Sequence, residues 1–180
     1  MKHVKWMVWA LAVCLAGPAA RGAALVTEGS NEIAVDGSLD FASAAGVDLH
    51  LRAKYAYFFW DRISLGVRAS LSDNDAADHF GAGLVGEYNF SLPEGYEPLF
   101  GTDLVPFVGG AVDYRHVNVF QESDDAVVFG AEGGVKFFLT DSAAVSLSLV
   151  GEWATEEIYA DDDEATDLDL FLQLGMRFYF

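Results

Sequence analysis

Cysteine, basic residues and long apolar runs are scarce in this chain of 180 residues, and each scarcity excludes a class of protein. The single Cys14 excludes a disulfide framework and any cysteine-based zinc site. The 10 Lys and Arg residues stand against 28 Asp and Glu residues, a formal net charge of −18, which excludes a basic nucleic-acid-binding surface. No stretch has the run of about 20 apolar residues that a transmembrane helix needs.

The first 24 residues have the organisation of a secretory signal peptide. Lys2 and Lys5 precede an uncharged apolar run over 6–17, and small residues follow up to Ala24. Cys14 lies within the apolar run, so a lipoprotein signal is an alternative that Val13 disfavours. Cleavage after Ala24 leaves residues 25–180 as one domain, which retains all 28 acids and loses three of the ten bases. The sequence therefore predicts a destination outside the cytoplasm.

Apolar and polar residues alternate with a period of two along the rest of the chain, which is typical of β-strands with two different faces. The clearest segment is the last, where one face consists of Leu168, Leu170, Leu172, Leu174, Met176, Phe178 and Phe180. Eight such segments cover residues 31–41, 47–58, 63–72, 79–90, 104–117, 126–139, 144–153 and 167–180. We therefore predict an all-β domain of eight antiparallel, sequentially connected strands.

The connections between these segments alternate in kind. Those near residues 73–78, 122–125 and 156–164 are acidic, whereas the opposite set consists of short turns at 60–62 and 140–142 and a longer connection at 91–103. Aromatic residues crowd this opposite set: Tyr55, Tyr57, Phe58, Phe59, Trp60, Tyr88, Phe90, Phe137, Phe138, Phe178 and Phe180. Such a belt is typical of strands that leave a membrane.

Two architectures share this strand pattern, because alternation does not reveal which face is inside. A soluble barrel places the apolar face inside, whereas a membrane barrel turns it towards lipid. The polar face mixes charges with Gly66, Gly83 and Gly134, as the narrow lumen of an eight-stranded barrel requires. The apolar face carries large side chains with hardly a charge, which favours the transmembrane barrel.

The end of the chain resembles the C-terminal insertion signal of bacterial outer-membrane proteins, in which a polar residue, a glycine and two aromatics are spaced as in Gln173, Gly175, Phe178 and Phe180. The stretches 57–66, 105–110 and 137–143 are also similar to small outer-membrane β-barrel proteins of the OmpA-transmembrane-like and OmpX-like kind. The resemblance implies an outer-membrane location, assembly through the C-terminal strand by the barrel-assembly machinery, and no particular task. Membrane lipid is the other expected partner, and we expect a monomer.

Charged residues on the polar face are the candidate functional residues. They are Arg52, Lys54, Arg68, Glu87, Asp113, Arg115, Glu132, Lys136, Glu152 and Arg177. Because buried charges are normally paired, we interpret them as a network that fills the lumen, with a narrow ion path as the alternative.

Two further alternatives remain open. A lipid-modifying enzyme would need a site built on His50, His79 or His116, yet no Gly-x-Ser-x-Gly elbow exists and His116 lacks a His-x-Ser motif. The acidic segment 156–164 could bind Ca²⁺, although it lacks EF-hand spacing. We therefore predict a non-catalytic protein without cofactor, with a structural or surface-interaction role, and a small pore as the second hypothesis.

Overall fold

The computed structural model describes residues 26–40, 48–73, 77–91, 102–119, 122–156, 158–161 and 164–180, so the predicted leader lies outside the described residues. Ten strands occur there: β1 (Asn31–Asp40), β2 (Asp48–Trp60), β3 (Ile63–Asp73), β4 (Ala77–Asn89), β5 (Asp103–Val119), β6 (Glu122–Thr140), β7 (Ala143–Ala154), β8 (Tyr159–Asp161), β9 (Glu164–Thr166) and β10 (Leu168–Tyr179). Within these ranges, no helix is both long enough and apolar enough to cross a bilayer.

Eight of the strands form a closed antiparallel barrel in which β1 pairs with both β2 and β10. Each other strand pairs with its neighbour along the barrel, and the pairing of Ile33 with Phe178 helps to close it. Closure leaves no strand edge without a partner, which a lipid environment requires. The predicted eight-stranded antiparallel architecture is confirmed.

The two remaining strands, β8 and β9, form a small hairpin in the connection for which the sequence predicts only an acidic loop. They pair with each other, as Tyr159 with Thr166, and not with the barrel. We call the barrel end that carries this connection the loop end, and the opposite end, where Asn31 and Phe180 meet, the termini end.

The two faces of the barrel wall differ in the way that a membrane barrel demands. The outer face of β10 exposes Leu170 at 67% and Leu172 at 66%, whereas Lys136 and Glu32 on the inner face are 0% exposed. A soluble barrel has the reverse arrangement, because exposed apolar surface of this extent drives aggregation in water. The transmembrane alternative is therefore the one that the structure supports.

The predicted aromatic belt needs one correction, because Phe58 and Phe138 point into the barrel. Both follow the period-two alternation that places Lys54 and Lys136 inside, and each lies next to a β-bulge. They form a buried cluster at the termini end with Val26, Val105, Ala144 and Tyr179. Val26 accepts a backbone hydrogen bond from Arg62 at 2.8 Å, so the segment before β1 closes this end.

Glycines on the inner face let neighbouring strands approach closely around a narrow lumen. A Cβ added at Gly134 would lie 2.3 Å from the Leu147 carbonyl oxygen and 2.8 Å from the Ser148 Cα. Gly133, on the outer face of the same strand, has only an ordinary contact of 3.9 Å with Val108. The close approach of neighbouring strands thus explains why glycines occur on the polar face.

We predict that Gly134→Ala lowers the free energy of unfolding by about 2 kcal/mol, because the added methyl group collides with backbone. The matched variant Gly133→Ala should change it by less than about 0.5 kcal/mol. Urea unfolding from lipid vesicles, followed by tryptophan fluorescence, measures both. Equal effects of the two substitutions would contradict the close approach of β6 and β7.

Candidate functional site

The lumen holds two layers of paired charges, and the first, the termini layer, surrounds two carboxylates. Glu32 Oε1 lies 2.5 Å from Lys54 Nζ and 2.9 Å from Arg177 Nη1. Glu87 Oε2 lies 3.0 Å from Lys54 Nζ and 2.8 Å from Arg177 Nη1, and Glu87 Oε1 accepts a hydrogen bond from Lys136. Glu32 Oε2 also lies 3.3 Å from Lys136 Nζ, so both carboxylates contact the same three cations.

The second layer, the loop layer, lies nearer the loop end and is built from arginines. Glu152 accepts hydrogen bonds at 2.8 Å from Arg52 and pairs at 2.6 Å with Arg115. Arg68 donates to Asp113 through Nε, at 2.8 and 2.9 Å to its two oxygens. The planar guanidinium groups suit this geometry, since each can donate to a carboxylate through more than one nitrogen.

Aromatic rings cover several of the cations. The Phe107 ring lies 4.6 Å from Arg177 Cζ and 5.1 Å from Lys136 Nζ, while Arg52 Cζ lies 5.6 Å from the Phe171 ring. Cation–π attraction strengthens where water is excluded, so these rings stabilise charges that have lost their hydration.

The structure brings nine of the ten predicted lumen charges into these two layers. The exception is Glu132, which faces the lumen half-buried and, among the described residues, has no ion pair within the usual distance. Its side chain lies against Gly109 instead. The alternation thus predicted the face of each charge, although it could not predict which charges pair.

Several important residues escaped the sequence analysis. Glu32 is a centre of the termini layer, and Asp36 lies 3.8 Å from Arg177, yet neither was among the candidates. Both stand on the polar side of the alternation at 31–41, so the signal was present. Tyr159, which lies in the acidic connection, carried no periodic signal at all.

The inner wall surrounds its bases with acids. Among the described residues, its six bases are the lysines and arginines of the two layers, and the acids on the same wall include Glu32, Asp36, Glu87, Asp113, Glu132, Glu152 and Asp169. Because an unpaired buried charge is very costly, these acids allow every base in the narrow lumen to remain ionised.

Tyr159 of the β8–β9 hairpin covers the loop layer. Its hydroxyl accepts a hydrogen bond from Arg115 Nη1 at 2.9 Å and donates one to Glu152 Oε2 at 3.1 Å. Burial and the nearby Glu152 carboxylate raise the pKa of the Tyr159 phenol, so the hydroxyl keeps its proton at neutral pH. Ile158 packs against Val128 and Ala154 beside it.

Two of the three candidate histidines, His50 and His79, line the same cleft, whereas His116 lies apart from them. His116 Nδ1 lies 2.7 Å from Asp125 Oδ1, an exposed pair near the loop end, on the outer wall where Tyr114 is exposed too. His50 stacks on Phe171 with ring centroids 5.7 Å apart and, with His79, lines a small cleft at the loop end. The proposed Ca²⁺ segment includes Glu157, Asp162 and Asp163, which lie outside the described residues.

The residues of the C-terminal signal all belong to the end of the chain that closes the barrel. Gln173 and Gly175 face the lumen, where Gln173 Oε1 accepts a hydrogen bond of 2.7 Å from Arg52. Phe180 is exposed on the outer side and joins Asn31 through backbone hydrogen bonds. The polar and glycine positions of this motif therefore have a structural role of their own.

Solved structures with the same architecture are membrane barrels. The N-terminal β-barrel domain of OprF from Pseudomonas aeruginosa matches with a TM-score of 0.62 and 18% identity, over 85% of this chain and 98% of that chain. OprG from Pseudomonas aeruginosa matches with a TM-score of 0.51 and 14% identity, over 88% and 99% of the two chains. Neisserial surface protein A matches with a TM-score of 0.50 and 15% identity, over 84% and 95%.

No family model matches the sequence, and no curated protein matches it significantly. The resemblance drawn from the sequence is nevertheless confirmed at the level of the fold. The chain has the fold of small eight-stranded outer-membrane β-barrels, and this fold agrees with the predicted location in an outer membrane.

We predict that Glu87→Gln lowers the free energy of unfolding by about 3 kcal/mol, because it leaves an excess of buried positive charge in the termini layer. Glu132→Gln, the matched control on the same inner wall, should cost less than about 1 kcal/mol, since Glu132 is half-buried and outside the two layers. Denaturant unfolding in the same vesicles compares them. A control variant as unstable as Glu87→Gln would contradict the two-layer description.

Proposed function

We propose that this chain is a non-catalytic outer-membrane barrel with a closed lumen, which acts structurally and through the acidic surface at its loop end. The supporting observation is the segregation of its bases. After residue 24 the sequence has seven Lys and Arg residues, and six of them are buried in the two lumen layers. The seventh, Arg62, lies in the short turn between β2 and β3 at the termini end.

This segregation gives the two ends of the barrel different chemistry. The segments 39–50, 72–79, 117–125 and 155–169, which connect strands that run to the loop end, contain many Asp and Glu residues and neither Lys nor Arg. With both termini in the periplasm, as in an even-stranded barrel, that end faces outward. A surface of one charge sign favours partners of the opposite sign and repels others, so the proposed partner is cationic.

The same segregation argues for a scaffold over a pore. The six bases are paired across the narrow lumen, and aromatic side chains close it at the termini end. An ion entering such a lumen would have to separate these buried ion pairs, which is costly. A conducting pore is the alternative that the first experiment tests.

The remaining parts of the proposal concern assembly and chemistry. The exposed Phe180 and the strand β10 are the surface that the barrel-assembly machinery would read, and lipid would cover the apolar wall of a monomer. A non-catalytic role is favoured because His116 meets a carboxylate on the exposed outer wall, apart from the cleft that His50 and His79 line.

We predict that the purified protein gives no current steps in planar lipid bilayers. Glu132→Gln, which leaves the two layers intact, should be equally silent. Steps of constant size in the wild-type protein that disappear with a single lumen substitution would contradict the closed lumen and support the pore.

We also predict that the protein in vesicles binds polylysine, and that binding weakens steeply as ionic strength rises, because exposed charges are screened. Neutralising the four consecutive acids at 161–164 should reduce the affinity several-fold. Neutralising Glu28, Asp103 and Asp141 at the termini end provides the control. An equal loss of polylysine affinity on neutralising the acids at the loop end and those at the termini end would contradict a role for the loop end.

A further inference from the structure

Four neighbouring strands carry large exposed side chains on the outer wall near the loop end. They are Tyr114 on β5, Phe129 on β6, Trp153 on β7 and Leu168 on β10. Phe129 and Trp153 stack with ring centroids 5.7 Å apart, and both Phe129 and Leu168 pair with Trp153 across the sheet. We call these four residues the loop-end patch. Because neighbouring strands lie about 4.8 Å apart, the patch is roughly 14 Å wide.

Two carboxylates are bonded to the polar tips of this patch. Trp153 Nε1 donates a hydrogen bond to Asp167 Oδ2 at 2.8 Å, and the Tyr114 hydroxyl donates one to Asp125. Asp125 Oδ1 also lies 2.7 Å from His116 Nδ1, and both carboxylates belong to exposed residues. An ionised carboxylate avoids hydrocarbon, whereas tryptophan and tyrosine prefer the boundary between hydrocarbon and water. The patch therefore lies at that boundary.

The chain supplies no Lys or Arg beside these carboxylates. The segments 117–125 and 155–169, which flank the patch, contain neither residue. A complementary partner must offer an apolar face and cationic groups together, whereas the phosphates of membrane lipids have the wrong charge for Asp125 and Asp167. A cationic amphipathic helix has both features. Such a helix lies in the plane of the membrane interface, with its apolar face about 5–10 Å into the boundary, so it meets the barrel wall at the height of the patch.

We propose that the loop-end patch binds a cationic amphipathic helix of another polypeptide, which lies along the membrane interface. The apolar face of the helix packs on Phe129, Trp153 and Leu168. Lys or Arg side chains on its polar face pair with Asp125 and Asp167. A width of roughly 14 Å accommodates between two and three helical turns of about 5.4 Å each. The proposal rests on the proposed function, because it takes the loop end as the outward end and specifies which cationic partner binds there.

Tryptophan fluorescence reports on this surface directly. A background with Trp6→Phe and Trp9→Phe keeps two tryptophans, Trp60 and Trp153. Trp60→Phe then leaves Trp153 as the reporter in the patch, whereas Trp153→Phe leaves Trp60, which is exposed at the termini end, as the control reporter. Phosphatidylcholine nanodiscs leave both ends of the barrel accessible to an added peptide. Peptide that binds only the bilayer should therefore affect the two reporters alike.

We predict that a tryptophan-free amphipathic helix of Lys and Leu shifts the Trp153 emission and saturates at one peptide per barrel. A scrambled peptide of the same composition should bind about tenfold more weakly, because it presents no single apolar face. Asp125→Asn combined with Asp167→Asn removes both charges but keeps the hydrogen-bond acceptors, and should weaken binding of the helix about fivefold. Glu28→Gln, which removes an exposed charge at the termini end, is the control and should leave the affinity unchanged.

Three results would each overturn the proposal: an equal response of Trp60 and Trp153, an equal affinity of the scrambled peptide, and an unchanged affinity of the double Asn variant. Each would mean that lipid alone covers the patch. Failure of the proposed function gives a different pattern, because polylysine has no apolar face and its test changes the acids at 161–164. Polylysine binding without patch binding would leave the acidic loop end in place and overturn only the helix site.

Discussion

The pairing of buried charges inside a narrow barrel is the interaction on which the rest of this structure depends. A lipid environment, which the exposed apolar outer wall suits, cannot solvate ions, so the charges of the inner wall must be paired with one another. Glu32 and Glu87 each contact the same three cations, and Glu152 contacts two arginines while Tyr159 donates a hydrogen bond to it. Removal of one central carboxylate therefore disturbs several partners together.

This constraint also explains the charge distribution of the whole chain. Once six of the seven bases after residue 24 are committed to the lumen, almost none remain for the surface, while acids are abundant enough for both. The high net negative charge is thus concentrated at the loop end. The placement of the bases in the lumen thus stabilises the barrel and also leaves the loop end acidic.

The sequence predicted the fold well, because the period-two alternation assigns each strand residue to one of the two faces of the barrel wall. A one-residue slip would turn Leu170 into the lumen and Gln173 into lipid, so the pattern itself specifies which residues share a face. The same rule should have identified Glu32 and Asp36, which lie on the polar side of the first strand. It also places Phe58 inside, although grouping by aromatic character had assigned it to the belt.

The parts that escaped prediction depend on distance across the lumen, which periodicity does not encode. Lys136 and Glu32 are more than a hundred positions apart in the chain, and only the barrel closure between β1 and β10 brings their strands within reach. Tyr159 lies in a short hairpin without a detectable period, so its contact with Arg115 could be found only in three dimensions.

The central claim is that the apolar face touches lipid while the charged face turns inward. Spin labels placed singly at successive positions 170–177 in β10, in lipid vesicles, test it through collisions with oxygen and with a water-soluble nickel complex. Labels at the even positions, which include Leu170, Leu172 and Leu174, should collide strongly with oxygen, whereas the label at Gln173 should be shielded from both reagents. Oxygen collisions that peak at the odd positions, or that show no period of two, would contradict the account.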